Sequence, residues 1–182
     1  MIINVLSAEE SQKTVLRQLI ELYSYDFSQY TDSDVDERGL FGYPGLDNYW
    51  TDETKHPFFI KADNHFAGFI LVNMSCKYST NKNTYNIAQF FVMKKYRGQN
   101  IGNHAAMHIF NLFKGEWEVR ILNANKPALL FWHKVINEYT KENNIFHPHP
   151  ALDWDGVGYT FSSNLITEGI YNENSSFRKN RY

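Results

Sequence analysis

The chain predicts an α/β protein built on one mixed sheet, and three observations carry that prediction. Short apolar runs of strand character alternate with amphipathic stretches of helical period through residues 1–163. One run, Ile87-Ala88-Gln89-Phe90-Phe91-Val92, passes through a basic, glycine-bearing turn directly into an amphipathic stretch, Ile101 to Phe113. Between such elements lie the pairs and triplets that end strands: Asp63-Asn64, Asn81-Lys82-Asn83 and Asp155-Gly156.

Taken in order, Ile2–Leu6 reads as a short first strand. Ser7-Ala8-Glu9-Glu10 is a capping-box pattern, Ser7 at the cap and Glu10 three residues later. It opens a helix whose apolar positions Val15, Leu16, Leu19, Ile20, Tyr23 and Phe27 share one face. Residues 28–53, rich in Asp, Gly and Tyr, are expected to hold a short helix and loops. Phe58–Lys61 and Phe66–Asn73 read as two strands joined near Asp63-Asn64, and a third ends at Val92. A helix after Gly102, a strand at Trp117–Leu122 and a helix from about Lys126 to Tyr139 follow. Two last strands are expected near Ala151–Trp154 and Gly158–Ser162. The order is β-α-(α)-β-β-β-α-β-α-β-β. It reads as a single domain over residues 1–163, with 164–182 a polar extension of the same domain ending Arg178-Lys179-Asn180-Arg181-Tyr182.

Composition narrows the function classes. At 182 residues, 43% hydrophobic and 16% aromatic, the chain is globular with a substantial core. The one cysteine, Cys76, excludes a disulfide framework and reads as a buried strand residue. No apolar run is long enough to span a bilayer, and Met1-Ile2-Ile3-Asn4-Val5-Leu6 lacks a basic leader, so a cytoplasmic protein without a membrane partner is expected. The basic tail is too short to argue for nucleic acid. His147-Pro148-His149 with Asp153 and Asp155 has ligand-type residues, yet reads as structural or exposed, and no metal is expected.

The net charge of −2 conceals an asymmetry. Residues 21–53 carry nine acids (Glu21, Asp26, Asp32, Asp34, Asp36, Glu37, Asp47, Asp52, Glu53) against the single base Arg38. Residues 77–97 carry five bases (Lys77, Lys82, Lys94, Lys95, Arg97) and no acid. An acidic arm and a basic arm suit ligands of opposite sign.

A strand that runs through a glycine-bearing turn into a helix leaves the first helical amides unpaired, and with the helix dipole they form a phosphate site. Three phosphate loops compete for residues 92–102. The Walker pattern Gly-x-x-x-x-Gly-Lys-Ser/Thr is absent. The dinucleotide fingerprint fails because Gly98 and Gly102 stand at the wrong interval. The remaining string, Arg97-Gly98-Gln99-Asn100-Ile101-Gly102, resembles the pyrophosphate loop of the GCN5-related N-acetyltransferases, Gln/Arg-x-x-Gly-x-Gly/Ala, with Arg97, Asn100 and Gly102 at the fixed places. Asn100 departs from the family's middle glycine, but asparagine tolerates left-handed backbone angles. A second segment, Asn125-Lys126-Pro127-Ala128-Leu129-Leu130-Phe131-Trp132, resembles the family's later motif Asn-x-x-Ala-x-x-Phe-Tyr in a Phe-Trp version found in a subgroup of predicted acetyltransferases.

The resemblance implies the family's acyl-CoA N-acyltransferase fold, with acetyl-CoA as cosubstrate. Its diphosphate is expected on the loop formed by Arg97, Gly98, Gln99, Asn100, Ile101, Gly102 and Asn103, aided by the five bases. Its pantetheine arm is expected along the strand ending at Phe91 and Val92, with Asn125, Phe131 and Trp132 closing the other wall. Relatives often use a carboxylate on the strand before the loop as general base; here its polar residues are Tyr85, Asn86 and Gln89, and Gln89 is assigned the orientation of a water. Relatives also use a tyrosine where this chain has Trp132, whose indole cannot protonate a thiolate. Tyr139, two turns on, reads as a core-edge tyrosine, and His133 faces away from Trp132. By resemblance the acceptor site is built from the region after the first helix and from the last two strands; the acidic, aromatic first region points to Tyr25, Asp26 and Tyr30 and to a cationic acceptor, a small polyamine-like, aminoglycoside-like or peptide amine. A homodimer is compatible with these features. The rivals are a non-catalytic acyl-CoA-binding module and transfer to a protein or peptide amine.

Overall fold

The computed structural model describes residues 1–151 and 153–164; the polar extension expected at 164–182 lies, apart from Asn164, outside the described residues. Seven strands form one sheet: β1 (Ile3–Ser7), β2 (His56–Ala62), β3 (His65–Asn73), β4 (Tyr85–Val92), β5 (Glu116–Leu122), β6 (Ile145–His147) and β7 (Gly156–Ser162). Their spatial order is β1-β2-β3-β4-β5-β7-β6. Every neighbouring pair is antiparallel except β4 and β5, which run parallel. The helices are α1 (Lys13–Phe27), α2 (Ile101–Leu112) and α3 (Lys126–Thr140). No helix of the described residues is long and apolar enough to cross a membrane.

The mixed sheet and the element order match the sequence reading, with local corrections. Ser7 does not cap the first helix, because it is the last residue of β1 and pairs with Phe58. The box forms two residues later: the Glu9 N–H donates to Gln12 Oε1 at 3.2 Å, opening a 3-10 turn, Glu10–Gln12, that leads into α1. On α1, Leu16, Leu19 and Ile20 are buried as expected, whereas Val15 is exposed. It stands about 100° around the helix from Leu16, past the edge of the apolar stripe. Residues 28–53 hold two 3-10 turns, Ser28–Tyr30 and Leu46–Trp50, in place of a short α-helix. Asp63 and Asn64 both have positive φ, 46° and 66°, the two-residue turn that matches strand twist.

The penultimate strand is β6, not Ala151–Trp154, which forms only an isolated bridge. Pro148 and Pro150 lack the N–H donors a longer ladder needs. Three residues suffice because Phe146 packs on Tyr159 (ring centroids 4.9 Å apart) and His147 Nε2 lies 2.8 Å from Thr160 Oγ1.

Two apolar layers flank the sheet. On one face α2 and α3 cover Trp117, Val119, Ile121, Tyr159 and Phe161. Tyr139 is buried there, its hydroxyl donating to Asn111 Oδ1 at 3.0 Å, and burial pushes the phenol up to about 12. On the other face α1 packs Leu16, Leu19 and Ile20 against Phe59, Phe69, Leu71 and Phe91. Under the β5–β7 half, that second face is covered by the loop of residues 74–84. The carboxylate of Glu118, fully buried on β5, holds this loop by accepting N–H bonds from Lys77 (2.7 Å), Tyr78 (2.8 Å) and Ser79 (2.9 Å). Tyr78 lies over Gly158, where a Cβ would meet its ring at 2.5 Å. Cys76 belongs to this loop and not to a strand; it is half-buried, and its Sγ donates to the Thr84 carbonyl.

Candidate functional site

The parallel ladder between β4 and β5 consists of two residue pairs, Tyr85 with Trp117 and Asn86 with Glu118. Beyond them the strands diverge. The rest of β4, Ile87 to Val92, keeps its β3 partners but turns a bare edge toward β5. A bulge accentuates the divergence: Leu71 opposes Gln89 and Val72 opposes Ile87, leaving Ala88 as the extra residue. Phe91 and Val92 stand at the open end of this wedge, where β4 leads into the loop.

The loop is shaped by two left-handed residues, Gly98 (φ 74°) and Asn100 (φ 62°), the latter being the N-cap of α2. The family's middle glycine is therefore replaced by a residue that adopts the same backbone region. Among the described residues no N–H from Gly98 through Gln99, Asn100, Ile101 and Gly102 to Asn103 meets an acceptor; the first paired amide is His104, bonded to the Asn100 carbonyl at 3.1 Å. Six consecutive outward amides at a helix start make an anion cradle. Gly102 also lets α2 approach α3 closely, since a Cβ there would meet Phe131 Cε2 at 3.0 Å. Asn125 caps α3, its Oδ1 accepting the Ala128 N–H at 3.1 Å. Phe131 and Trp132 pack on Phe90 of β4, at 5.6 and 5.0 Å between ring centroids. Trp132 is buried in the α2–α3 layer, so it supports the wall from within.

Arg97 is already engaged. Its Nε donates to the Val92 carbonyl at 2.7 Å and its Nη2 to Asp26 Oδ2 at 2.5 Å, while Lys94 Nζ lies 3.2 Å from the other Asp26 oxygen. Asp26 thus ties the end of α1 to the loop. Burial alone would raise its carboxyl, but hydrogen bonds and charge from Arg97 and Lys94 outweigh it and hold the group below the ordinary range. Lys77 and Lys82 stand at the far end of β4, roughly 25 Å away at strand rise, so the expectation that five bases attract the phosphates reduces to Lys94, Lys95 and Arg97.

Gln89 faces α1, and the Tyr23 hydroxyl donates to its Oε1. Tyr23 reads in sequence only as one more member of a buried stripe; its polar tip among apolar neighbours was the available signal. Its ring stacks on Phe27 and meets Phe69 and Phe91 edge-on. Tyr30 joins this group through Phe27, with centroids 6.0 Å apart. Tyr25 does not join it: two residues from Tyr23, it projects from the opposite side of α1 and is 71% exposed. Most of the acidic arm is committed within the chain. Glu21 accepts the Phe41 and Gly42 N–H groups, Asp36 pairs with Arg38, Asp47 with Lys13 and Arg17, and Asp52 with Lys55. Asp32, Asp34 and Glu37 are exposed in the segment that follows Tyr30. His133 turns away from Trp132 and meets the Tyr159 hydroxyl at 2.7 Å. Among the described residues no group of three or more His, Cys, Asp or Glu is placed to hold a metal ion.

A sequence model described as the acetyltransferase (GNAT) family matches residues 16–136. No curated protein matches the chain. Among solved structures, a GNAT-family acetyltransferase from Staphylococcus aureus Mu50 superposes with TM-score 0.61 at 16% identity, over 89% of this chain and 99% of that one. PaiA N-acetyltransferase from Thermoplasma acidophilum, solved with coenzyme A, gives 0.63 at 12% identity over 89% and 99%. Spermidine N-acetyltransferase from Vibrio cholerae, solved with CoA and spermine, gives 0.63 at 9% identity over 91% and 98%. At these identities the likeness carries the fold.

Proposed function

The chain belongs to the GNAT acetyltransferase family, and on that premise we propose that it transfers the acetyl group of acetyl-CoA to a primary amine of a small cationic molecule. The observation that carries the reading is the row of six unpaired amides from Gly98 to Asn103 at the mouth of the β4–β5 wedge. These N–H groups, with the positive end of α2, suit a diphosphate. The bare edge of β4 offers backbone donors and acceptors to an extended arm of alternating amides, and one such N–H stabilises a thioester oxygen as it gains charge.

The amine attacks the thioester directly. The only cysteine is unsuited to an acyl-enzyme: burial, then the charge of Glu118, pushes the Cys76 thiol up to about 12, and the residue lies in the loop of residues 74–84. β4 carries no carboxylate, so catalysis rests on holding amine and thioester together and on oxyanion stabilisation. The positive charge of the acceptor is drawn by Asp32, Asp34 and Glu37, exposed acids that follow Tyr30 in the chain.

Titration calorimetry with CoA and a thiol-release assay with acetyl-CoA and a panel of amines test this together. Binding of CoA, and thiol release that requires an amine, is the expected result. Tight binding without turnover for any amine means a non-catalytic acyl-CoA-binding module, and turnover confined to peptides means a protein-amine enzyme. Absence of binding overturns the reading.

A further inference from the structure

Gln89 lies on the strand that borders the wedge, at the bulge where β4 parts from β5. Its side-chain oxygen is occupied, because the Tyr23 hydroxyl donates to Oε1. Tyr23 can keep that role at any ordinary pH: burial, and the Tyr43 phenol nearby, push its own phenol well above the usual range. The ring cannot easily turn away, being wedged among Phe27, Phe69 and Phe91. The phenol oxygen could accept from a turned amide, but its buried proton would then have no acceptor among the described residues; Oε1 therefore stays toward Tyr23, and the amide has only its NH2, unpartnered among the described residues, left to offer. The half-buried Gln89 therefore carries a free donor on the α1 side of β4, the side on which the acceptor site is expected.

An ammonium or a bare polyamine chain, which near the reacting nitrogen presents only donors and methylenes, cannot satisfy such a group. A hydroxyl, carbonyl or carboxylate oxygen can. We propose that Tyr23 is a positioning residue that locks the hydrogen-bond polarity of Gln89, so that the acceptor is an amine carrying a hydrogen-bond-accepting oxygen beside the reactive nitrogen, as amino sugars and amino amides do. This deepens the acetyltransferase reading and rests on it.

The test compares matched amines with and without the oxygen, ethanolamine against propylamine and kanamycin against spermidine, in wild type, Tyr23→Phe, Gln89→Leu and Gln89→Glu. Wild type should favour the oxygen-bearing member of each pair in kcat/KM. Tyr23→Phe frees Oε1 and lets the amide turn, and Gln89→Leu removes the donor; each should cut that preference about tenfold, as expected for one hydrogen bond, through KM more than kcat. Gln89→Glu replaces the donor by an acceptor and should shift preference toward propylamine and spermidine. CoA affinity by calorimetry and the melting temperature report on folding, and Gln89→Leu keeps the test open if Tyr23→Phe is unstable. Equal losses on both members of each pair would mean a merely structural contact and overturn the proposal. So would wild-type preference for the oxygen-free amines. CoA binding without turnover of any amine would instead remove the enzymatic reading, and this inference with it.

Discussion

Replacing Asn100 by valine isolates the loop that the cofactor reading depends on. Asn100 has φ 62° and ψ 6° and caps α2, so its backbone aims the neighbouring amides outward. A residue with a Cβ pays about 1–2 kcal/mol to occupy the left-handed region, asparagine least among them, and β-branching adds to the strain. The side chain makes no hydrogen bond at the cap, so the substitution removes none there. If the strain falls on the CoA-binding conformation, about 1–2 kcal/mol corresponds to a roughly 5- to 30-fold weaker Kd. Asn100→Gly relieves it and should bind as well as wild type or a few-fold tighter. Calorimetry with CoA reads the effect, and a thermal melt shows whether any strain is expressed in stability instead. An Asn100→Val protein with wild-type CoA affinity and melting temperature would refute the argument that this loop geometry creates the site.

Three further outcomes follow from the same contacts. Glu118→Gln swaps an acceptor of three backbone N–H bonds for a group that must turn N–H against N–H; the melting free energy should fall by about 3 kcal/mol, and an unchanged denaturant midpoint would count against the clamp. Cys76 should resist iodoacetamide at pH 8 in the native protein and react on unfolding, because its thiol is held at about 12; rapid native labelling would show that the loop of residues 74–84 opens. Asp26→Asn removes a carboxyl held below its unfolded value, so the stabilisation it supplies is present above about pH 4 and lost as pH falls through the folded value. The gap in melting temperature between wild type and Asp26→Asn should be constant near neutrality and close in acid, and a gap that widens in acid would reverse the sign of the argument.

Local signals were legible where the physics is local. The left-handed tolerance of Asn100, the helix start at Lys126 and the Asp63-Asn64 turn each depend on a few adjacent residues, and each forms as read. The first cap was displaced from Ser7 to Glu9 because strand pairing with Phe58 claimed Ser7. Charge counting along the chain grouped Lys77 and Lys82 with Arg97, although an eight-residue strand holds the two ends apart.

What the sequence by itself determined is the loop with its left-handed turn at Asn100 and the helix it opens, since backbone angles and helix ends are written within a dozen neighbouring residues. Only the tertiary structure decided which side chains meet around that loop and along β4. Tyr23 reaches Gln89 over 66 positions and Asp26 reaches Arg97 over 71, and such pairs depend on sheet register and on how α1 lies over β4. The parting of β4 from β5 is likewise a property of two strands together, invisible in either alone.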